Sequence, residues 1–193
     1  MAITIPTDLT IVTLRSGGGE LAQRWTEEYA TAVLRQASDL LRSRTNIEFS
    51  RESVEQVVEE MPSGATSETV DEAGYHFLAA AHKAGNGVRA ILVDRVSRAD
   101  LGGQSRQQTR VCLVAYASDP ASTSRMLAHE LAHLLSLPHI DDDRRPGPGQ
   151  ERLIASWMRN LMYSGALNPA AELTDIQVRA ARSSPLARRF GGR

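Results

Sequence analysis

Cysteine is nearly missing from this sequence. Cys112 stands alone among 193 residues, so no intramolecular disulfide can form and stability must come from a packed core. An excess of one charge sign is missing as well. The 22 lysines and arginines face 23 aspartates and glutamates, a net charge of -1 that gives no push towards nucleic acid or an anionic membrane. No apolar run approaches the roughly 20 residues of a membrane span. The N-terminus lacks a basic segment followed by an apolar core, so no signal peptide is read. These absences leave localisation open between the cytoplasm and export without a standard leader, and they say nothing of oligomeric state. Histidine is scarce too, with five in the chain, which gives weight to where each one falls.

What is present is ordinary for a globular protein: 41% hydrophobic and 23% charged residues. The length fits one domain, or two small lobes sharing a cleft. Branched, alternating residues predict strands over 9–15 and from 47 towards 58, and apolar runs predict strands over 88–94 and 110–116. Cys112 lies inside the last of these and reads as a buried small hydrophobe rather than a reactive thiol. Helical spacing predicts helices over 20–44, 71–83 and 120–136, the last capped by Asp119 or a nearby serine. A turn of helix is expected over 151–158 and a final helix from Thr174 or Asp175. Residues 101–108 read as a polar connection, and 61–69 and 141–150 as loops. The arginines at 182, 188, 189 and 193 read as a solvated tail. Strands fall mostly before position 117 and helices after it, the pattern of an α+β protein with a mixed sheet in an upper lobe.

The informative stretch is His129-Glu-Leu-Ala-His-Leu-Leu-Ser-Leu-Pro-His139. His129 and His133, four apart on a helix, lie on one face and can reach one zinc ion. Glu130 adjoins the first ligand and is better placed to contact a water held by the metal. Such a water has its pKa lowered to about 7, and a carboxylate can take its proton as it attacks a carbonyl. Catalytic zinc usually keeps three protein ligands and an open position, and His139 supplies the third. Pro138 disfavours helical geometry at Leu137, so the helix should stop near Ser136 and the chain should turn back there. Glycine is the cheapest residue for a left-handed turn, and Ser136 in that conformation would be strained by about 1 kcal/mol. A core helix with internally satisfied histidines explains Leu127, Leu131, Leu134 and Leu135, but not three of five histidines in one window.

The motif resembles that of the metzincin clan of zinc metallopeptidases, whose long form carries a glycine where Ser136 stands and is followed by a methionine turn. The resemblance covers about 88–181. It implies a metzincin-like α+β catalytic domain over 1–193: an upper lobe of about 1–137 with a mixed twisted sheet and long helices, and a small, mainly irregular and helical lower lobe of about 138–193 across an active-site cleft. It implies one catalytic zinc ion, Glu130 as general base, Met162 in the methionine turn, and a peptide or protein substrate cleaved internally. It also implies that the last upper-lobe strand before the motif helix pairs with extended substrate, here 110–116 or the Gly102-Gly103 segment before it. The 162–173 segment, with Gly165 and Ala166, would wall the pocket beside the cleaved bond. Tyr163 follows Met162 directly, where some relatives place a tyrosine two residues on, so it is given no catalytic role.

Alternatives remain open at this level. Glu151 could complete the site in the manner of gluzincins. One of Asp141, Asp142 and Asp143 could accept from an imidazole N–H, with Asp141 the first choice. The domain could bind zinc and a partner without cleaving it, or use zinc structurally, although structural sites usually have four ligands. His76 and His82, six apart, suit surface or packing roles. No further cofactor motif is read.

Overall fold

The computed structural model describes residues 2–16, 19–20, 23–60, 70–95, 103–141, 151–164 and 171–192. Its frame is a six-stranded mixed sheet. The long strand β1 (Ile3–Ser16) is central: β3 (Ile47–Glu60) runs parallel along one side and β4 (Val88–Val93) parallel along the other. β6 (Val111–Ala115) continues the parallel order beyond β4, and β5 (Gly103–Arg106) closes that edge antiparallel to β6. The two-residue β2 (Gly19–Glu20) pairs antiparallel with the end of β1.

Strands covered on both faces read as apolar runs; β6 is unbroken, and β4 is broken only by Arg89 near its start. Alternate side chains serve opposite faces. Ala90, Leu92, Cys112 and Val114 join the core under α1 (Glu27–Thr45) and α3 (Pro120–Leu134). Ile91, Val93, Val111 and Leu113 join a second core under α2 (Glu72–Ala81). Cys112 is fully buried, and burial pushes its thiol pKa well up, which fits the packing role expected of it.

Three expectations are corrected. The first helix begins at Glu27 rather than at 20, because Thr26 caps it by accepting from the Tyr29 N–H at 3.1 Å, with Trp25 buried just before. The connection over 101–108 contains strand β5, whose polar sequence Gly-Gln-Ser-Arg carries no apolar alternation. The motif helix ends at Leu134, one residue before its cap at Leu135. The helix expected over 71–83 runs from 72 to 81 with Asp71 as N-cap. α4 (Glu151–Met158) and α5 (Asp175–Ser183, capped by Thr174) lie where the sequence places them. A further short helix, α6 (Pro185–Phe190), follows. Ala181, Leu186 and Ala187 bring α5 and α6 into the main core, and Arg182 Nε donates to the Thr45 carbonyl at 2.7 Å. Among the described residues no helix is long and apolar enough to cross a membrane.

The join between β1 and β4 has no room for a side chain at Gly87, where a Cβ would stand 1.7 Å from the Pro6 carbonyl oxygen. Gly85, two residues earlier, has only the Asp8 carboxylate at 3.4 Å. Gly87→Ala is therefore expected to cost about 1–3 kcal/mol in urea unfolding, and Gly85→Ala little. Equal effects would show that this strand junction is not the constraint.

Candidate metal centre

α3 is built to deliver two histidines to one point. Asp119 accepts from the Ala121 and Ser122 N–H groups at its start, with Pro120 in the first turn. Leu127, Ala128, Leu131 and Leu134 bury one side of the helix. His129 and His133 stand one turn apart. The helix then closes with a Schellman turn: the Ser136 N–H donates to the His133 carbonyl at 2.9 Å, and the Leu137 N–H to the Ala132 carbonyl at 3.2 Å. Ser136 takes the left-handed position with φ 67°, a conformation the sequence had left open. The reversal returns His139 to the helix.

The three imidazoles meet. Nε2 of His129 lies 3.1 Å from Nε2 of His133 and 3.1 Å from Nε2 of His139, and the latter two are 3.0 Å apart. The other ring nitrogens of two of them are committed. His129 Nδ1 lies 2.6 Å from the Leu161 carbonyl, and His133 Nδ1 2.7 Å from the Leu137 carbonyl. A carbonyl only accepts, so each Nδ1 carries the proton and each facing Nε2 is a lone pair. Two lone pairs at 3.1 Å repel unless a cation lies between them. Ligands at about 2.0–2.1 Å from one zinc ion have such a spacing, so the residues present fit the metal. Burial holds the His129 pKa below its ordinary value, which keeps the ring neutral and able to ligate. Among the described residues these three form the only cluster of histidine, cysteine or acidic groups spaced for an ion.

The carbonyl acceptors were not legible in the sequence, because main-chain groups carry no side-chain signature. Leu161 and Met162 sit in a turn pinned by an amide pair. Asn160 Nδ2 donates to Gln177 Oε1 at 2.8 Å, Gln177 Nε2 returns a bond to Asn160 Oδ1 at 3.2 Å, and the Met162 N–H also donates to Asn160 Oδ1 at 2.9 Å. Met162 is fully buried, and its carbonyl accepts from the Ile140 N–H at 2.8 Å, next to His139. The Asp141 carboxylate accepts from the Ser164 N–H at 3.1 Å and from the Ser164 hydroxyl, tying the same two segments. The side chain of Glu151, together with Asp142, Asp143, Gly165 and Ala166, lies outside the described residues. His82 lies 2.9 Å from Glu59, and His76 beside Glu72, both away from the cluster.

Glu130 is 6% exposed, and burial pushes its pKa up to about 7. Edge strand β5 lies directly over it: a Cβ on Gly103 would stand 2.7 Å from Glu130 Cγ and 2.7 Å from the Leu113 carbonyl. The Ser105 hydroxyl, buried and without a hydrogen bond of normal geometry, is near enough to favour the ionised carboxylate and so opposes the rise. β6, over 111–115, is flanked by β4 and β5 and is not the edge; of the two segments expected to meet substrate, the one around Gly103 is.

No family model matches this chain, and no curated protein does. Solved structures share its fold. Archaemetzincin from Methanopyrus kandleri is similar at a TM-score of 0.51 and 15% identity, over 96% of each chain. A chain in the structure of a chaperone–substrate complex is similar at 0.52 and 11%; this protein covers 98% of its own length there and 35% of that chain. At these identities the likeness is one of fold.

In the metal-free protein Glu130 binds its proton more tightly folded, near pH 7, than unfolded, near its ordinary 4.5. Its contribution to stability is thus lost as pH rises from about 4.5 through 7. Glu130→Gln should leave the metal-free protein about as stable as wild type at pH 5 and more stable at pH 8, by on the order of 1–3 kcal/mol in urea unfolding. An equal difference at both pH values would contradict this.

Proposed function

We propose that this protein is a zinc-dependent endopeptidase of metzincin type. The observation that carries the reading is the convergence of three imidazole nitrogens, two of them fixed as lone pairs, with the buried carboxyl of the adjoining Glu130 under the last described strand of the sheet. His129, His133 and His139 would hold one zinc ion, which when bound supplies a Lewis acid and lowers the pKa of water. The whole chain, 1–193, then acts as one catalytic domain, with the upper lobe to about 137 and the lower lobe beyond it bordering the cleft.

Among the described residues β5 is the last strand of the sheet, and an extended peptide would bind along it as a further strand. Glu130, beneath that strand, takes the proton from the attacking water and passes it to the amine that leaves, so one water is added across one peptide bond. Met162 and the turn around it support His129 and the His139 loop, and Asp141 braces the same contact from outside. Archaemetzincin shares the fold over nearly the full length of both chains, which supports the same assignment.

Metal content and cleavage of a mixed peptide library, in wild type and Glu130→Gln, test this reading. Both should bind one zinc, and the variant should lose on the order of 10²- to 10⁴-fold in cleavage rate. Zinc in both with no cleavage by wild type would instead identify a binding module. His139→Ala should weaken zinc binding by more than the roughly 10- to 100-fold that loss of an outer partner costs, and Glu151→Ala much less. The reverse order would move the third ligand to Glu151.

A further inference from the structure

The hinge serine has a partner that a glycine could not have. Ser136 Oγ accepts from Gln107 Nε2 at 2.5 Å. Gln107 is the first residue after β5, in the turn that leads through Arg110, itself left-handed at φ 56°, into β6. The bond therefore joins two structures 29 residues apart in sequence. One is the Schellman turn, which sets both the Leu137 carbonyl behind His133 and the path to His139. The other is the hairpin whose edge strand lies on Glu130.

We infer that Ser136 and Gln107 form a latch coupling the metal-binding turn to the β5–β6 hairpin, and that both are positioning residues for the substrate edge. The role of that edge rests on the peptidase reading; the latch itself does not. The left-handed strain at Ser136 is local, whereas its hydroxyl reaches across to the hairpin. A metal that fixes His133 and His139 restricts the turn between them, and through this bond restricts residues 103–110. By linkage, an ordered hairpin favours metal binding to the same degree.

The test uses the full chain as wild type, Ser136→Ala, Gln107→Ala, the double variant and Ser136→Gly. Zinc affinity is measured by competition with a chelator, and amide exchange over 103–110 with and without zinc. Zinc should slow exchange of the hairpin in wild type. Each single variant should lose most of that slowing and weaken zinc binding about three- to tenfold, the scale of one hydrogen bond. The double variant should be no worse than either single. Ser136→Gly relieves the strain yet should lose the coupling all the same. With a cleaved peptide, Ser136→Ala and Gln107→Ala should raise KM about three- to tenfold and leave kcat within about twofold. Additive losses in the double variant, or zinc protection unchanged in the singles, would overturn the latch. If wild type binds zinc and cleaves nothing, the peptidase reading fails while affinity and exchange still decide the latch.

Discussion

Neutral imidazoles do not gather with their lone pairs face to face unless the chain compels them, and every feature around His129, His133 and His139 serves that compulsion. The two on α3 are oriented by carbonyls that come from different chain reversals. Leu137 presents its carbonyl because the helix ends in a Schellman turn, and Leu161 presents its carbonyl because Asn160 and Gln177 hold the turn before Met162. Each acceptor selects the tautomer that leaves Nε2 unprotonated, which is the state a metal requires. The third ring arrives only because Ser136 accepts a conformation that costs about 1 kcal/mol in a residue with a Cβ.

The sheet gives this cluster its chemical setting. Parallel strands β1, β4 and β6 need cover on both faces, and α3 lies on the face shared with α1, which brings the histidines towards the end of β6. The reversed strand β5 then lies over Glu130, and Gly103 admits the contact because no side chain stands there. The carboxyl is buried by the same strand that would bind an extended peptide. A peptide added to that edge would thus be brought alongside Glu130.

How much of this the sequence discloses depends on which groups do the work. Ligand spacing is a side-chain fact that the sequence states directly; it narrowed the helix cap to Asp119 or a nearby serine and placed a reversal near Ser136, while the left-handed conformation there came from the structure. The two parallel strands β4 and β6 were legible because burial on both faces leaves them almost wholly apolar, with Arg89 the one exception. β5 was not, since a polar edge strand lacks both the apolar run and the alternation that mark other strands. The carbonyls of Leu137 and Leu161 leave no trace in residue type. Asn160 and Gln177 lie 17 residues apart and become partners only through the tertiary fold. Gln107, in an exposed turn, gives no sign of reaching Ser136.

A site with facing lone pairs and a desolvated carboxyl is unfavourable without its metal, so something else must hold it in shape. The core supplies that support. Ile5, Leu9, Leu34, Leu41, Ile91, Leu92, Leu113 and Leu127 are all essentially excluded from solvent, and none of them is a ligand. These buried side chains, and not the three imidazoles, form the packed scaffold that surrounds the site. Domains that fold only around their zinc draw their folding energy from the metal. Here the order is reversed: the sheet and its helices fix the turns, the turns fix the carbonyls, and the carbonyls fix the rings. Were zinc held there as proposed, its binding energy would be available for polarising what binds to it, which is the condition a catalytic centre needs.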